Sequence, residues 1–196
     1  MRLHFTAATL AVFVLTLISA RPAYGEPQMS SQRQAAILGR VLAYDRGMKE
    51  RAGDSVVVAV LYRMGNPGSE TCSNQMFEGF RSVERFVLHG LPFKVIRLTY
   101  DAGGVWRDTL RSDGVDAMYV CDGLDEELDT IASTARQRKI TTMGAREEFV
   151  TRALAIGVFA SDDKPVILIN YAVSQEQGAV FGSELMRVAT VINHPH

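Results

Sequence analysis

Histidine, cysteine and tryptophan are scarce in this chain of 196 residues, which contains four, two and one of them. His194 and His196 lie at the C-terminal end and His4 lies among the first residues. His89, which we expect in a surface loop, is therefore the only histidine within the body of the chain. Zinc-ligand spacings, a Gly-x-Ser-x-Gly motif and a paired histidine and cysteine are absent as well. The sequence predicts no catalytic residue, no metal site and no cofactor, which argues against an enzyme.

An excess of one charge is also absent. The 21 lysines and arginines nearly balance the 22 aspartates and glutamates, and the basic residues are scattered, whereas nucleic-acid binding depends on clustered cations. The densest basic run, residues 136–139, follows a helical pattern, and we expect it to form a solvated last turn that complements the helix dipole. No nucleic-acid partner is expected.

Long apolar runs are missing except at the start of the chain. Residues 5–20 carry no charge, and Ala23 and Gly25 place small residues where a signal peptidase reads. A membrane anchor is the alternative, but this run is shorter than the roughly 20 apolar residues that span a bilayer. We expect residues 1–25 to be a signal peptide cleaved before Glu26, and the mature protein to be exported from the cytoplasm without stable membrane insertion.

The mature chain has the size of one ordinary domain. Removal of the signal peptide takes away two basic residues and no acidic ones, which leaves 171 residues with a formal charge of −3. A chain of this length can bury its own hydrophobic core. We expect residues 26–196 to form a single domain.

Buried-strand and helical patterns alternate along the mature chain. Ser55–Tyr62 is a continuous β-branched run without polar alternation, as in a parallel strand buried on both faces. Further strands are predicted at Phe93–Leu98, Val115–Val120 and Ile140–Met143, and helices at Gln32–Met48 with a serine cap, at Asn74–Val87, through Trp106 and Leu110, at Leu124–Lys139 and at Glu147–Thr151. This alternation predicts an α/β three-layer sandwich with a mostly parallel sheet, in which Trp106 packs into the core.

The pattern changes near the C-terminus. Leu154–Phe159 and Val166–Ile169 flank Ser161–Lys164, a polar loop of hairpin length, which predicts an antiparallel hairpin at the C-terminal edge of the sheet. A last helix is predicted over Ser174–Ile192, because apolar residues there recur on one helical face.

The C-terminal region contains four stretches that are informative together: Leu154–Phe159, Val166–Asn170 with its final Ile-Asn, Ala172, and Ser183–Ala189. They resemble the closing segment of the YfiR-like family of periplasmic proteins, in which Ser183–Ala189 is similar to a Ser-x-Leu-Leu-x-Leu-Ala stretch. The order of the earlier elements is also similar, so the resemblance covers nearly the whole mature chain. Two departures are that Ala43–Arg46 stands where members often carry a Trp-Pro pair, and that a second cysteine pair is missing.

The resemblance implies a non-enzymatic periplasmic regulator. In the family, a soluble repressor acts on the periplasmic region of an inner-membrane diguanylate cyclase and so lowers cyclic di-GMP signalling and biofilm formation. The implied partner is an inner-membrane signalling protein, either a diguanylate cyclase or a histidine kinase, and a homodimer is left open. The alternative is a small periplasmic solute-binding or sensory module that serves a membrane complex, although such receptors usually close two lobes on a ligand.

The two cysteines, Cys72 and Cys121, are predicted to form a disulfide. An even count in an oxidising compartment favours pairing. Cys121 ends the third strand and Cys72 follows the loop after the first, and in the strand order 2-1-3-4-5 these strands are neighbours about 4.8 Å apart. The alternative is that both are small, buried apolar residues.

Glycines follow the first two strands. Gly65, Gly68 and Ser69 come after the first strand and Gly103 and Gly104 after the second, at the carboxyl edge where open α/β sheets bind ligands. Backbone amides at a helix start can approach an anion, so these residues form a candidate ligand crevice. Ordinary turn glycines are the alternative, because no P-loop or dinucleotide motif is present.

An acidic run follows the third strand, with Asp122, Asp125, Glu126, Glu127 and Asp129. The twelve-residue calcium-loop signature is missing. We expect these carboxylates to occupy the first turn of the next helix, where the helix dipole favours negative charge.

Overall fold

The computed structural model describes residues 29–83, 88 and 90–194. The elements are α1 (Ser31–Ala43), α2 (Met48–Arg51), β1 (Val56–Arg63), α3 (Pro67–Val83), β2 (Phe93–Tyr100), α4 (Val105–Ser112), β3 (Ala117–Val120), α5 (Leu128–Arg138), β4 (Thr141–Gly144), α6 (Glu147–Arg152), β5 (Ile156–Ser161), β6 (Lys164–Asn170), α7 (Tyr171–Glu176), α8 (Ser183–Met186) and β7 (Thr190–Ile192). The predicted signal peptide, the end of the helix predicted to reach Val87, His89 and His196 lie outside the described residues.

The strands of the described residues form one seven-stranded sheet in the order β2-β1-β3-β4-β5-β6-β7. Neighbouring strands in it run parallel, apart from the antiparallel pair β5 and β6. Six successive residues of β1, Val56–Leu61, are buried, as expected of a strand covered on both faces. The α/β prediction with a mostly parallel sheet is confirmed, and the first five strands follow the predicted order.

Helices cover both faces of the sheet and produce the predicted three layers. On one face, α1 and α3 supply Leu38 and Phe80 to the core. On the other face, α4, α5 and α6 supply Trp106, Ile131 and Phe149. Trp106 is only 1% exposed, so its predicted place in the core is confirmed.

The first helix is shorter than predicted. Its cap is the predicted one, because the Ser30 side chain accepts a hydrogen bond from the amide of Arg33 at 3.3 Å. Helix α1 then ends at Ala43, and the chain turns before α2 begins at Met48. The predicted continuous helix to Met48 is therefore two helices.

Helix α3 begins earlier than predicted, at Pro67 instead of Asn74. Proline suits the first turn of a helix because its missing N–H needs no partner there. The Asn66 side chain accepts a hydrogen bond from the amide of Ser69 at 3.0 Å, and this bond caps the N-terminus of α3.

Helix α5 ends where the sequence predicts. Arg136 and Arg138 lie in its last turn, and Lys139 follows in the left-handed conformation with φ 57°. The prediction that the basic run forms a last helical turn is confirmed.

The helix predicted over Ser174–Ile192 is wrong. The chain leaves α7 at Gly178, which has φ 83°, forms the short helix α8, and ends in β7, which pairs in parallel with β6. Glycine at a positive φ ends helices readily, and the β-branched residues Thr190–Ile192 suit a strand. The helical spacing of the apolar residues therefore arises from a short helix, α8, followed by a short strand, β7, and not from one long helix.

The β5–β6 hairpin is confirmed. Its turn residues, Asp162 and Asp163, have φ 49° and 61°, which is the geometry of a two-residue type I′ turn. Strand β7 extends the sheet one strand beyond this hairpin. Among the described residues, no helix combines the length and apolar character needed to cross a bilayer.

Candidate functional site

A pocket of about 640 Å³ opens at the carboxyl ends of β3 and β4. Its walls come from the start of α1, from α3, from the loops after β3 and β4, and from the β5–β6 hairpin. Open α/β sheets bind ligands at this edge, and small-molecule sites typically have volumes of about 300–1,000 Å³. This pocket is therefore the candidate site.

Two buried polar side chains line the pocket. The Tyr119 hydroxyl donates to Oε1 of Gln34 at 3.2 Å, and Nε2 of Gln34 donates to the carbonyl of Val158 at 2.5 Å. Burial raises the pKa of Tyr119 well above its ordinary value. The hydroxyl therefore stays protonated, and the pair offers neutral hydrogen bonds to a ligand.

Charged side chains lie at the rim of the pocket. Arg146 donates to Oδ1 of Asp125 at 2.5 Å, and its guanidinium lies 4.4 Å from the centre of the Phe149 ring. Desolvation raises the pKa of Asp122, while Arg146 opposes the shift and Asp125 adds to it. The lining also includes the two hairpin aspartates, so the rim carries more negative than positive charge.

The two cysteines are neighbours beside this pocket. Cys72 lies in α3 and lines the pocket, whereas Cys121 is buried directly after β3, and both are free thiols in the structure. Burial raises the pKa of the Cys121 thiol, and a hydrogen bond with Cys72 raises it further. A thiol that keeps its proton is a poor nucleophile. The disulfide stays a prediction, which the proximity of the two thiols supports.

The loop after β1 lies away from the pocket, and its amides are bonded within the chain. The amide of Gly65 donates to Glu70 at 2.8 Å, and the buried Ser69 hydroxyl accepts from the amide of Arg63 at 2.9 Å. Gly68 lies in the first turn of α3. A ligand at this part of the predicted crevice would have to displace these side chains.

Backbone amides after β2 are also bonded to a side chain of the protein itself. Gly104 has φ 90° and precedes α4, with Gly103 before it. The carboxylate of Asp101 accepts hydrogen bonds from the amides of Val105 and Trp106 at 3.1 and 2.9 Å. These hydrogen bonds, chiefly that from Trp106, lower the pKa of Asp101. The structure does not bring Gly103 and Gly104 into the pocket.

The crevice between β1 and β3 is occupied by the chain itself. Nε of Arg63 donates to the carbonyl of Gly123 at 2.8 Å, and the same arginine forms an ion pair with Glu127. Gly123 has φ 81°, and a Cβ there would lie 2.8 Å from the Asn66 side chain. These contacts fill the position where doubly wound folds commonly hold ligands, and the open pocket lies beside the next strands instead.

The acidic run mostly precedes α5, which corrects the prediction that it forms the first turn. Only Asp129 lies in that turn. Asp125 and Glu127 lie in the loop before the helix and pair with Arg146 and Arg63. In the part of the chain that the structure describes, no group of three or more His, Cys, Asp or Glu is placed to hold a metal.

The sequence analysis placed its candidate crevice at the carboxyl ends of the strands, but it did not name Gln34, Tyr119 or Arg146, which line this pocket. Arg146 follows β4 by two positions, as ligand-binding residues of such sheets often do, and this was an available signal. Gln34 and Tyr119 lie inside a helix and a strand, and nothing in their local sequence shows that they meet.

A family comparison covers nearly all of the described chain. Residues 31–190 match the DUF4154 family, described as YfiR/HmsC-like. The chain belongs to the YfiR/HmsC-like family. Membership confirms the resemblance and supports a regulatory role in the periplasm, and it identifies no partner. None of the curated proteins matches this YfiR/HmsC-like chain.

Solved structures share the fold at low sequence identity. The ABC domain in complex with L-Trp from Streptococcus pneumonia is 14% identical, with a TM-score of 0.60 over 83% of this chain and 62% of that one. The open, ligand-free substrate binding protein CD0873 from Clostridium difficile is 12% identical, with a TM-score of 0.57 over 85% and 61%. A conserved domain protein from Vibrio cholerae is 13% identical, with a TM-score of 0.60 over 83% and 60%. This chain therefore spans about three fifths of each of these proteins, and the likeness shows the fold alone.

Proposed function

We propose that this protein is a periplasmic regulator that binds the periplasmic region of an inner-membrane signalling protein and holds it inactive. The proposed partner is a diguanylate cyclase, so that binding lowers cyclic di-GMP. The observation that carries the proposal is the match of residues 31–190 to the YfiR/HmsC-like family. The proposal includes a signal peptide over residues 1–25 and a single domain over residues 26–196, and an interface of about 800 Å² per partner would suffice.

Action by binding, without catalysis, is part of the proposal, and the chemistry of the pocket supports it. Tyr119 and Cys121 are buried groups whose pKa values are raised, so neither supplies an anionic nucleophile at neutral pH. Arg146 is engaged by Asp125. Catalytic acids and bases usually have pKa values near the operating pH. Burial instead moves the pKa values of Tyr119 and Cys121 further above neutral pH.

Deletion and complementation test the docking role. Deleting the gene should raise cyclic di-GMP, and restoring the full chain should lower it again. A chain with Asp45→Ala, which loses the buried partner of Arg51 and should be strongly destabilised, is the control for loss of the folded protein and should not restore the low level. An unchanged cyclic di-GMP level after deletion contradicts the cyclase partner.

A second candidate function is a small sensory module that binds a periplasmic solute. The observation that favours it is the pocket of about 640 Å³ lined by Gln34 and Tyr119, on a fold shared with a substrate binding protein. A solute that binds there should raise the melting temperature of the wild-type protein. Tyr119→Phe removes only one hydroxyl and should reduce the shift, whereas a shift that is equal in both proteins contradicts binding at this pocket.

A further inference from the structure

A second pocket, of about 470 Å³, lies at the amino ends of the strands, on the opposite side of the sheet from the first pocket's carboxyl ends. It is formed where α2, α4 and α5 end and where β3 and β4 begin. Its charged lining residues are Arg51, Arg111, Arg138, Lys139 and Asp116. Four cations therefore surround a single carboxylate, which is the reverse of the acidic rim of the first pocket.

The carboxylates of Asp116 and Asp45, near this second pocket, already have partners within the protein. The Asp116 side chain accepts a hydrogen bond from the amide of Val57 at 2.9 Å and is only 6% exposed. Desolvation raises its pKa, while that hydrogen bond and Arg51 oppose the rise. Arg51 in turn pairs with the buried Asp45 at 2.6 Å. Arg51 and these two carboxylates therefore interact with one another inside the protein.

Two arginine side chains in the lining remain without a protein partner. Among the described residues, neither the Arg111 side chain nor the Arg138 side chain forms a hydrogen bond or an ion pair. Lys139, by contrast, donates to the carbonyl of Glu176 at 2.9 Å. The buried Nε of Arg51 also lacks a hydrogen-bond partner, and an unsatisfied buried donor is costly. The pocket thus presents more donors and more positive charge than the folded chain uses.

Helix dipoles explain only part of this charge. The C-terminal ends of α4 and α5 favour a cation in the last turn. In α5, Arg136 already serves this end and pairs with Glu176 at 3.7 Å, and Lys139 follows it. Arg138 therefore adds positive charge beyond what the dipole of α5 favours, and it lines the pocket.

We propose that this pocket binds a phosphate group, held by Arg111 and Arg138 as two guanidinium forks with Lys139 beside them. Guanidinium forks bind phosphate oxygens in pairs and with defined geometry. Gly53 and Gly114 line the same pocket, and open space surrounds both positions, so a ligand can approach the backbone closely. The phosphate belongs either to an anionic lipid headgroup or to a soluble phosphate ester, and the site is independent of the proposed signalling partner.

Titration with inorganic phosphate is the first test. The purified exported protein is titrated at constant ionic strength, with chloride as the matched control, and backbone amide NMR shifts are followed. Saturable shifts at Gly53 and Gly114 with phosphate but not with chloride are the expected result. Equal shifts with both salts would show an adventitious ion only and would overturn the proposal.

Matched variants separate the site from general charge. Replacing both arginines, Arg111→Gln with Arg138→Gln, should weaken phosphate binding at least about tenfold. Arg40→Gln is the control, because Arg40 lies in the last turn of α1, is exposed, and is not among the pocket residues. Equal weakening by the control contradicts the site.

A variant that removes no existing contact guards against loss of folding. Gly53→Glu places a carboxylate at the pocket, at a position where an added Cβ would meet no atom within 4 Å. It should abolish phosphate binding by charge repulsion while the melting temperature stays within a few degrees of the wild type. Unchanged phosphate binding in a folded Gly53→Glu protein contradicts the site.

Vesicles distinguish the two sources of phosphate. The protein is sedimented with vesicles of phosphatidylcholine alone or mixed with phosphatidylglycerol. Co-sedimentation with the mixed vesicles, lost in the double arginine variant, assigns the site to lipid headgroups. Phosphate binding without co-sedimentation assigns it to a soluble ester, and failure of both probes overturns the proposal.

Discussion

Arg51 and Asp45 form an ion pair in which Nη2 of the arginine lies 2.6 Å from Oδ2 of the fully buried aspartate. The same carboxylate accepts hydrogen bonds from the amides of Gly47 at 3.0 Å and Val180 at 2.8 Å. Arg51 also donates to the Thr141 hydroxyl at 3.1 Å. The pair therefore joins the segment after α1 to the C-terminal part of the chain.

Asp45→Ala should strongly destabilise the protein. It removes the carboxylate that pairs with Arg51 and the acceptor of two backbone amides, and breaking a buried ion pair in this way costs about 3–5 kcal/mol. Arg46→Ala is the control, since Arg46 and Glu184 form an exposed pair at 3.7 Å, worth about 0–1 kcal/mol. Denaturant unfolding measures both, and an equal loss in the two variants contradicts the structural role of Asp45.

Two helical glycines should respond in opposite directions to alanine. A Cβ on Gly79 would lie 2.8 Å from the carbonyl oxygen of Ser31 and 3.2 Å from the Cβ of Ala35, so Gly79→Ala should force α1 and α3 apart at a cost of about 1–3 kcal/mol. Gly39 lies in α1 with nothing within 4 Å of the added atom, and Gly39→Ala should stabilise by about 0.5–1 kcal/mol. Unfolding midpoints check both, and stabilisation by Gly79→Ala would contradict the close approach of the helices.

The central strands of this fold could be predicted because burial on both faces leaves a clear pattern. In β1, Val56–Leu61 are continuously apolar, and each one is buried. The C-terminal helix was mispredicted because apolar spacing alone cannot distinguish a long helix from a short helix followed by a strand. Gly178 and the β-branched run Thr190–Ile192 were the contrary signals, and each acts locally, on φ or on strand propensity.

The functional surfaces were less predictable than the fold. The pocket depends on Gln34 meeting Tyr119, a contact between residues 85 positions apart that only the packing of α1 on the sheet creates. The glycine loops were visible in the sequence, but whether Asp101 or Asn66 occupies their amides depends on side-chain geometry. Likewise, the basic run 136–139 gives no sign that Arg111 lies near it.

The Asp116 carboxylate should make stability depend on pH. Because desolvation raises its pKa in the folded state, its contribution is fully present below the ordinary aspartate pKa of about 3.9 and is lost as pH rises through the higher folded pKa. Asp116→Asn keeps an acceptor for the Val57 amide and removes the charge, so its stability relative to the wild type should increase from about pH 4 to pH 7. Unfolding curves over this range test the sign.

A second substitution at this position provides the control. Asp116→Ala also removes the charge but leaves the buried Val57 amide without an acceptor, so it should be less stable than Asp116→Asn by about 1–3 kcal/mol at every pH. A wild type and an Asp116→Asn variant whose stabilities stay parallel from acid to neutral pH would contradict the shifted pKa.

Cys72 and Cys121 should be joined by a disulfide in the exported protein. The intact mass without reductant should be lighter than the reduced mass by two hydrogen atoms. The bond would close a loop of about fifty residues, and Cys72→Ser should then cost up to about 4 kcal/mol on the chain-entropy model. Two alkylatable thiols in denatured, unreduced exported protein would contradict the bond, and under reducing conditions the variant and the wild type should have similar stabilities.

Complementation with and without residues 2–25 tests the central claim most directly. In a deletion strain, the full chain should return cyclic di-GMP to its low level, because the signal peptide delivers the regulator to the periplasmic region of its partner. The chain that lacks residues 2–25 should stay in the cytoplasm and leave cyclic di-GMP high, at equal abundance of folded protein. Equal repression by both chains, or no effect of either, would contradict a periplasmic regulator that acts by docking on a membrane signalling protein.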